Sequence, residues 1–249
     1  ETRIDVDLYG SALSLFNAFN EALSGEPYIR VFNPELGRNG WESKHTIVQI
    51  VVNDLPFLVD SVKMALNRRS IATHLLLHTP IKVNRDADGN LIEFLDLKDG
   101  KQASHQQTVF IIEIDRQAEQ AQLDSLTEEL ASVMKDVSIA VEDWKPLQKK
   151  LAECIDEASK AKIKNKQQQQ VIIDFLNWIA DHNFTLMGYR EYSVTAIEGD
   201  RKIAGLDETS LGLAKHRAST TRYVSELSEL GRTHAMSDNI LILTKKVII

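Results

Sequence analysis

The stretch Thr46–Thr79 constrains the fold more than any other part of this chain, because it places a strand, a sharp turn, a helix and a second strand in close succession. Thr46–Val52 is apolar at nearly every position, which is typical of a strand in the middle of a sheet. The helix is apolar along one side from Leu58 to Leu66, and Ile71–Leu77 is a second strand rich in leucine. Two strands joined through a helix predict a sheet that packs against helices.

The turn between the first strand and the helix is the main candidate for a functional site. Backbone N–H groups at a helix start attract carboxylates, so such a turn can hold a small anionic ligand or contact a partner. A purely structural role remains open, in which Asp54 caps the helix and Phe57 fills the core. Pro56 fits the first turn of a helix. The candidate residues are Asn53, Asp54, Leu55, Pro56, Phe57 and Leu58.

The sequence on either side extends this unit into the order β-α-β-β-α-β. Regular apolar spacing predicts a helix over Leu8–Leu23 and another over Glu119–Lys135. Further strands are predicted at Tyr28–Phe32, Leu91–Leu95 and Thr108–Ile114, with a short closing strand at Val137–Val141. Ile81–Val83 is expected to continue extended into a hairpin loop at Asp86–Asn90. We therefore expect an α+β fold, a ferredoxin-like sandwich with two helices on one face of one sheet.

The second half is predicted to hold an amphipathic helix, a polar stretch and part of another domain. The helix covers Trp144–Ala158, and Lys160–Gln170 (KAKIKNKQQQQ) is the most polar stretch. Beyond it we predict a helix at Val171–Asp181, strands at Thr185–Val194 and Ile240–Lys245, and polar loops over Gly199–Ser237. The predicted division is 1–44 for an N-terminal helix and connecting segment, 45–143 for a complete domain, 144–170 for a helical linker and 171–249 for a partial second α+β domain.

Charge and cysteine content exclude several classes of protein. The net charge is −7 at pH 7, so no positive field draws nucleic acid or anionic lipid to the chain. No apolar run approaches the ~20 residues of a membrane-spanning helix. The single cysteine, Cys154, cannot form an intramolecular disulfide. We expect a cytoplasmic protein with no nucleic-acid or membrane partner, and we interpret the abrupt ends at Glu1 and Ile249 as those of a fragment.

Other polar residues give weaker signals for a site. His74 and His78 share a strand face, but residues four apart on a strand lie ~13 Å apart, too far to share one metal ion. His45 and His105 are predicted to flank the same sheet. The chain has no GxGxxG or P-loop motif and no recognisable motif for a catalytic triad. Basic residues that are compatible with an anion, and equally with a solvated surface, are Arg68, Arg69, Arg190 and Lys160 to Lys166.

Several sequence blocks resemble one protein family in the same order along the chain. The turn Asn53–Leu58, after a strand and before a helix, is similar to the first turn of an ACT domain, a small regulatory module. The blocks that resemble the N-terminal region of the large bacterial NAD-specific glutamate dehydrogenases are Asp7–Gly10, Val31–Pro34, Gly40-Trp41, His45–Val62, Leu66–Arg69 and Phe184–Tyr192. The similarity spans nearly the whole chain.

The resemblance implies a parent enzyme that oxidatively deaminates L-glutamate to 2-oxoglutarate with NAD, and a catalytic domain far downstream of this chain. It implies an ACT-like domain here, followed by the start of a PAS-like module. We therefore expect no catalytic, cofactor-binding or metal-binding residue in this fragment, with NAD bound in the parent. Ligand-binding ACT domains usually carry glycine where this chain has Phe57, and a bulky side chain there blocks close backbone approach.

Three functions follow from these observations. The first is a regulatory and assembly region that contacts other domains of the same chain and self-associates into a homo-oligomer. The second is an ACT sensor that binds an amino-acid effector at Asn53–Leu58. The third is an unrelated, self-contained enzyme, which a closed second domain with converging titratable residues would favour.

Overall fold

The computed structural model describes residues 5–22, 26–96, 103–163 and 165–236. The chain divides into two units, Glu1–Ser138 and Ile139–Ile249, which carry a five-stranded and a three-stranded sheet respectively. Within the described ranges, no helix is both long enough and apolar enough to cross a membrane.

The first unit is built on an antiparallel sheet with the strand order β1-β2-β5-β3-β4. Its elements are α1 (Asp5–Glu21), β1 (Tyr28–Phe32), α2 (Leu36–Asn39), β2 (Thr46–Asn53), α3 (Leu58–Arg68), β3 (Thr73–Arg85), β4 (Leu91–Leu95), β5 (His105–Ile114) and α4 (Gln120–Glu142). β5 therefore lies between β2 and β3, which both precede it in the chain. The mixture of helices with an antiparallel sheet confirms the α+β class.

β2 is covered on both of its faces, because every residue from Thr46 to Val52 is buried and successive side chains point to opposite faces. On one face, Ala18 and Phe19 of α1 pack with Val51 and Val109 in one buried cluster. The apolar sides of α3 and α4 are also buried, so both helices contribute residues to the core of this unit. Burial on both faces explains why β2 is apolar at nearly every position, the pattern that predicted a central strand.

The predicted closing strand at Val137–Val141 is wrong, because these residues continue α4 as far as Glu142. Met134, Val137 and Ala140 follow one another at helical spacing, and all three are buried. The sheet position next to β2 is held by β1, which pairs with β2 antiparallel along its whole length. The edge of the sheet is thus completed by residues that come before the strand–turn–helix unit.

Arg85, at the end of β3, joins three parts of the first unit through a buried guanidinium group. The residue is only 6% exposed. Its Nη2 donates to the carbonyl oxygen of Phe19 at 3.0 Å and to Oε1 of Gln107 at 2.9 Å, and its Nη1 donates to the carbonyl oxygen of Gly89 at 2.9 Å. The carbonyl of Phe19 belongs to the last turn of α1, where carbonyls lack helical partners. Burial lowers the pKa of Arg85.

The second unit packs helices with a sheet of strand order β6-β7-β8. Its elements are α5 (Trp144–Lys160), α6 (Lys166–Trp178), a π-helical turn (Ile179–Asn183), β6 (Gly188–Ile197), β7 (Asp200–Gly212), β8 (Thr221–Tyr223) and α7 (Glu229–Ala235). The expected loops over Gly199–Ser237 are wrong for much of their length, because β7 and β8 lie there. The predicted strand Ile240–Lys245 lies outside the described residues.

The polar stretch Lys160–Gln170 ends one helix and starts the next. The side-chain oxygen of Asn165 accepts the backbone N–H groups of Gln167 and Gln168, both at 3.1 Å, which caps α6. Gln169 is buried, and its Nε2 donates to the carbonyls of Ala158, Ser159 and Ala161 at 2.7, 3.0 and 3.0 Å. The glutamine run is therefore structural, since Gln169 satisfies carbonyls at the end of α5.

Asp143 ties the start of α5 to the end of β7. Its buried carboxylate accepts the backbone N–H of Gly212 at 2.6 Å and Nζ of Lys215 at 2.7 Å. Burial opposes ionisation of Asp143, but the hydrogen bonds from Lys215 and Gly212 outweigh it, so the pKa of Asp143 is lowered.

Candidate functional site

The turn that joins β2 to α3 has a backbone conformation that is rare for its residue type. Phe57, directly before the first residue of α3, has φ 71° and ψ −1°, in the left-handed region. An L side chain in this region costs about 1–2 kcal/mol, which glycine largely avoids. The prediction that Asp54 caps the helix is wrong, because Phe57 occupies the cap position and makes no side-chain cap hydrogen bond.

Asp54 instead fastens the turn to the beginning of β5. Its backbone N–H donates to the carbonyl of Gln106 at 2.9 Å, and its carboxylate accepts from Nε2 of Gln106 at 2.9 Å. Asn53 is paired with Gln107 in the sheet. The strained conformation of Phe57 is therefore held between a sheet on one side and a helix on the other.

The side chain of Phe57 points into solvent, so the expectation that it fills the core is wrong. Phe57 is 45% exposed, whereas the following residue, Leu58, is fully buried. Met64, within α3, is 63% exposed. These two exposed apolar side chains, one at the start of α3 and one within it, are called the Phe57–Met64 surface below. The spacing of apolar residues could not predict this exposure, because an apolar residue in or beside a helix is normally expected to be buried in the core.

Two of the histidines come together in a way that the sequence did not indicate. The rings of His45 and His74 stack with centroids 4.2 Å apart and an interplanar angle of 20°. Nε2 of His74 lies 2.8 Å from Oδ1 of Asp115, and Nδ1 of His45 lies 3.5 Å from Oε2 of Glu113. This contact depends on β5 lying between β2 and β3, a pairing that spacing along the chain does not reveal.

The other two histidines considered as candidates make separate contacts. His78 lies against the ring of Phe110, with centroids 4.7 Å apart, and Nδ1 of His105 lies 2.9 Å from Oγ of Ser104. Among the residues that the structure describes, no group of three or more His, Cys, Asp or Glu side chains is arranged to hold a metal ion.

Two of the basic residues considered as anion ligands, Arg69 and Arg190, make structural contacts. Arg69 binds the carboxylate of Glu129 on α4 and donates to Oγ of Ser125 at 2.8 Å. Arg190 donates from Nε to Oγ of Ser210 at 2.8 Å, within β6 and β7. These contacts link α3 to α4 and β6 to β7.

Cys154 lies close to a polar cluster between α5 and β6. Glu191 accepts hydrogen bonds from the hydroxyl of Tyr189 at 2.9 Å and from Nζ of Lys150 at 3.2 Å. Burial, reinforced by Glu191, raises the pKa of Tyr189 to about 12. Burial also raises the pKa of the Cys154 thiol, which makes it a poorer nucleophile at neutral pH.

Comparison with known proteins assigns the chain to a family. A family model described as glutamate dehydrogenase, ACT1 domain, matches residues 1–130, which include α1, the whole five-stranded sheet, α3 and the turn at Asn53–Leu58. The chain belongs to the glutamate dehydrogenase ACT1 domain family.

Two longer relatives extend the similarity beyond this ACT1 domain. The NAD-specific glutamate dehydrogenase of Pseudomonas aeruginosa is 38% identical over 212 residues, which cover 84% of this chain and 13% of that protein. The NAD-specific glutamate dehydrogenase of Halomonas elongata is 31% identical over 215 residues, which cover 86% of this chain and 13% of that protein. The matched region is thus a small part of each relative.

Proposed function

We propose that this chain is the N-terminal regulatory and assembly region of an NAD-dependent glutamate dehydrogenase. The parent enzyme would convert L-glutamate, NAD and water into 2-oxoglutarate, ammonium and NADH. The chain itself takes no catalytic role, and NAD binds elsewhere in the parent. Membership of the ACT1 domain family and the names of the two relatives support this proposal.

The observation that carries the assembly role is the Phe57–Met64 surface. A bulky residue held in a glycine-favouring conformation, with its ring in solvent, indicates that the turn is under a functional constraint. We propose that this surface contacts another domain of the same polypeptide or a second copy of the chain. Such a contact regulates the enzyme only if it binds two states of the parent unequally.

The test is to make this surface polar in the full-length enzyme. The double variant Phe57→Asp, Met64→Asp should lower the oligomer mass in light scattering or change the rate of glutamate oxidation. Lys63→Asp, an exposed change on the same helix, is the matched control. An unchanged mass together with an unchanged rate in the double variant would reject the assembly role.

An amino-acid sensor is the second candidate function, favoured by the turn's position at the start of α3. The left-handed conformation of Phe57 is the one that glycine adopts most readily, so the backbone shape compatible with a ligand is retained. A thermal-shift screen of the chain against amino acids tests this role. Stabilisation by one amino acid, lost in Asp54→Ala, supports it, and a flat response across the panel rejects it.

We also propose a finer description of the two units. The first is a variant of the ferredoxin-like ACT sandwich in which β1 takes the edge position beside β2; the strand order and the antiparallel pairing support this. The second is the beginning of a PAS-like module, supported by the packing of α5 with β7 and by the antiparallel β6–β7 pair. We propose a cytoplasmic, homo-oligomeric parent.

A further inference from the structure

The stacked histidines lie where the chain enters two strands on either side of β5. His45 directly precedes β2, and His74 is near the start of β3. Asp115, just after β5, is bound to the same segment twice: it accepts the backbone N–H of Ala72 at 3.1 Å, and its own N–H donates to the carbonyl of Ala72 at 3.1 Å. The four side chains His45, His74, Glu113 and Asp115, called the histidine clamp below, thus connect three separate parts of the chain.

The charges in the histidine clamp depend on protons. With both imidazoles neutral, the clamp contains two carboxylates and no cation of its own. Each proton that an imidazole gains places a positive charge beside a carboxylate, 2.8 Å away for His74 with Asp115 and 3.5 Å away for His45 with Glu113. The two imidazolium charges would repel each other across 4.2 Å between ring centroids. The first proton meets no such repulsion, so its uptake by either imidazole adds only attraction to a carboxylate and favours the closed arrangement.

Burial strengthens one of these pairs. The side chain of Glu113 is only 7% exposed, so water screens its charge poorly and a nearby cation has a larger effect. Asp115 is more exposed, but the hydrogen bond with His74, followed by that from Ala72, lowers the pKa of Asp115, which keeps it ionised. Two further cations adjoin the clamp: Lys44 next to His45, and Arg116, whose Nη1 donates to the carbonyl of Ser43 at 3.0 Å.

We propose that the histidine clamp is a proton-sensitive device that holds the entrance of β3 to the end of β5 more tightly as the pH falls through neutrality. Histidine is the side chain whose ordinary charge change lies between pH 5 and 8. The segment that the clamp holds follows α3 directly, and Arg69 in that segment binds Glu129 and Ser125 of α4. The clamp is therefore connected, through residues 70 to 72, to the contact that Arg69 makes between α3 and α4.

Amide hydrogen exchange on the intact chain tests this proposal. The N–H groups of Ala72 and Asp115 report on the clamp, and the N–H of Asp54, bonded to Gln106 at the opposite end of β5, is the internal reference. After correction for the intrinsic rate at each pH, protection of Ala72 and Asp115 relative to Asp54 should be about two- to fivefold higher at pH 6 than at pH 8, because half-exposed ion pairs contribute up to about 1 kcal/mol. An equal ratio at both pH values would overturn the proposal without any variant.

Variants separate proton sensing from simple packing. His74→Asn keeps a hydrogen-bonding side chain beside Asp115 but cannot gain a charge, so the protection ratio should become independent of pH. His78→Asn is the matched control on the same strand, and it should keep the wild-type pH dependence. A pH dependence that persists undiminished in His74→Asn would also overturn the proposal.

Discussion

The left-handed conformation of Phe57 predicts an unusual order of stability for two truncated variants. Phe57→Gly and Phe57→Ala both remove the aromatic ring, so they lose the same contacts. They differ in the backbone, because alanine at φ 71° still carries the left-handed penalty of about 1–2 kcal/mol. Glycine avoids that penalty but gives up about 0.4–1 kcal/mol through the greater entropy of its unfolded chain. Phe57→Gly should therefore be the more stable variant, by about 0.5–1 kcal/mol.

Met64 provides the matched control within the same helix. Met64 is exposed and lies inside α3, where glycine is less stable than alanine by about 1 kcal/mol. The order of stability should thus reverse between the two sites. Thermal and urea unfolding of the four variants measures it, and for a chain of this size 1 kcal/mol corresponds to a shift of about 2–4 °C in the unfolding midpoint. If Phe57→Gly is less stable than Phe57→Ala, the strain assigned to this turn is refuted.

Three further substitutions test buried polar groups. Arg85→Met leaves three buried acceptors without their donor and should lower the free energy of unfolding by about 3 kcal/mol in urea, whereas Arg38→Met on the exposed surface should change it little. Gln169→Leu should cost about 1–3 kcal/mol because carbonyls at the end of α5 lose their donor, while the exposed Gln168→Leu should stay within about 0.5 kcal/mol of wild type. The pKa of Asp143 is lower in the folded state than its unfolded value of ~3.9, so the ionised carboxylate stabilises the fold above pH ~3.9. This stabilisation is lost as the pH falls through the lower pKa of the folded state. Acid unfolding of Asp143→Asn should therefore lack that loss, and an identical acid midpoint in wild type and variant would contradict the role given to this carboxylate.

The sequence predicted most of the first unit because its signals are local. The apolar run of β2, the one-sided helix α3 and the strands that follow depend on patterns of a few residues, and each is present in the structure. The closing strand failed because Val137, Ile139 and Val141 alternate as in a strand, while Val137 and Ala140 are also spaced as on one face of a helix, and the buried face of α4 decided between the two patterns. The sequence of these few residues alone does not distinguish a strand from a helix.

The candidate site was predicted in position but not in geometry. The turn at Asn53–Leu58 does join a central strand to a helix, as expected. The residue types could not show that Phe57 adopts a positive φ or that Asp54 binds Gln106, since both depend on how the turn meets β5. In the same way, Gln169 looked like part of a low-complexity run, and only the packing of α5 with α6 made it a buried donor.

The central place of β5 has a consequence for how the ACT1 domain folds during synthesis. When β4 has left the ribosome, the chain has made only two separate pairs, β1 with β2 and β3 with β4. Isolated two-stranded ribbons are marginally stable in water. The strand that unites them is the last of the five to emerge, and α4, which completes the core, follows it. Because the pairings of β5 with β2 and β3 form late, the nascent chain keeps apolar surface exposed until β5 and α4 have emerged. Chaperones therefore have most to protect in this interval.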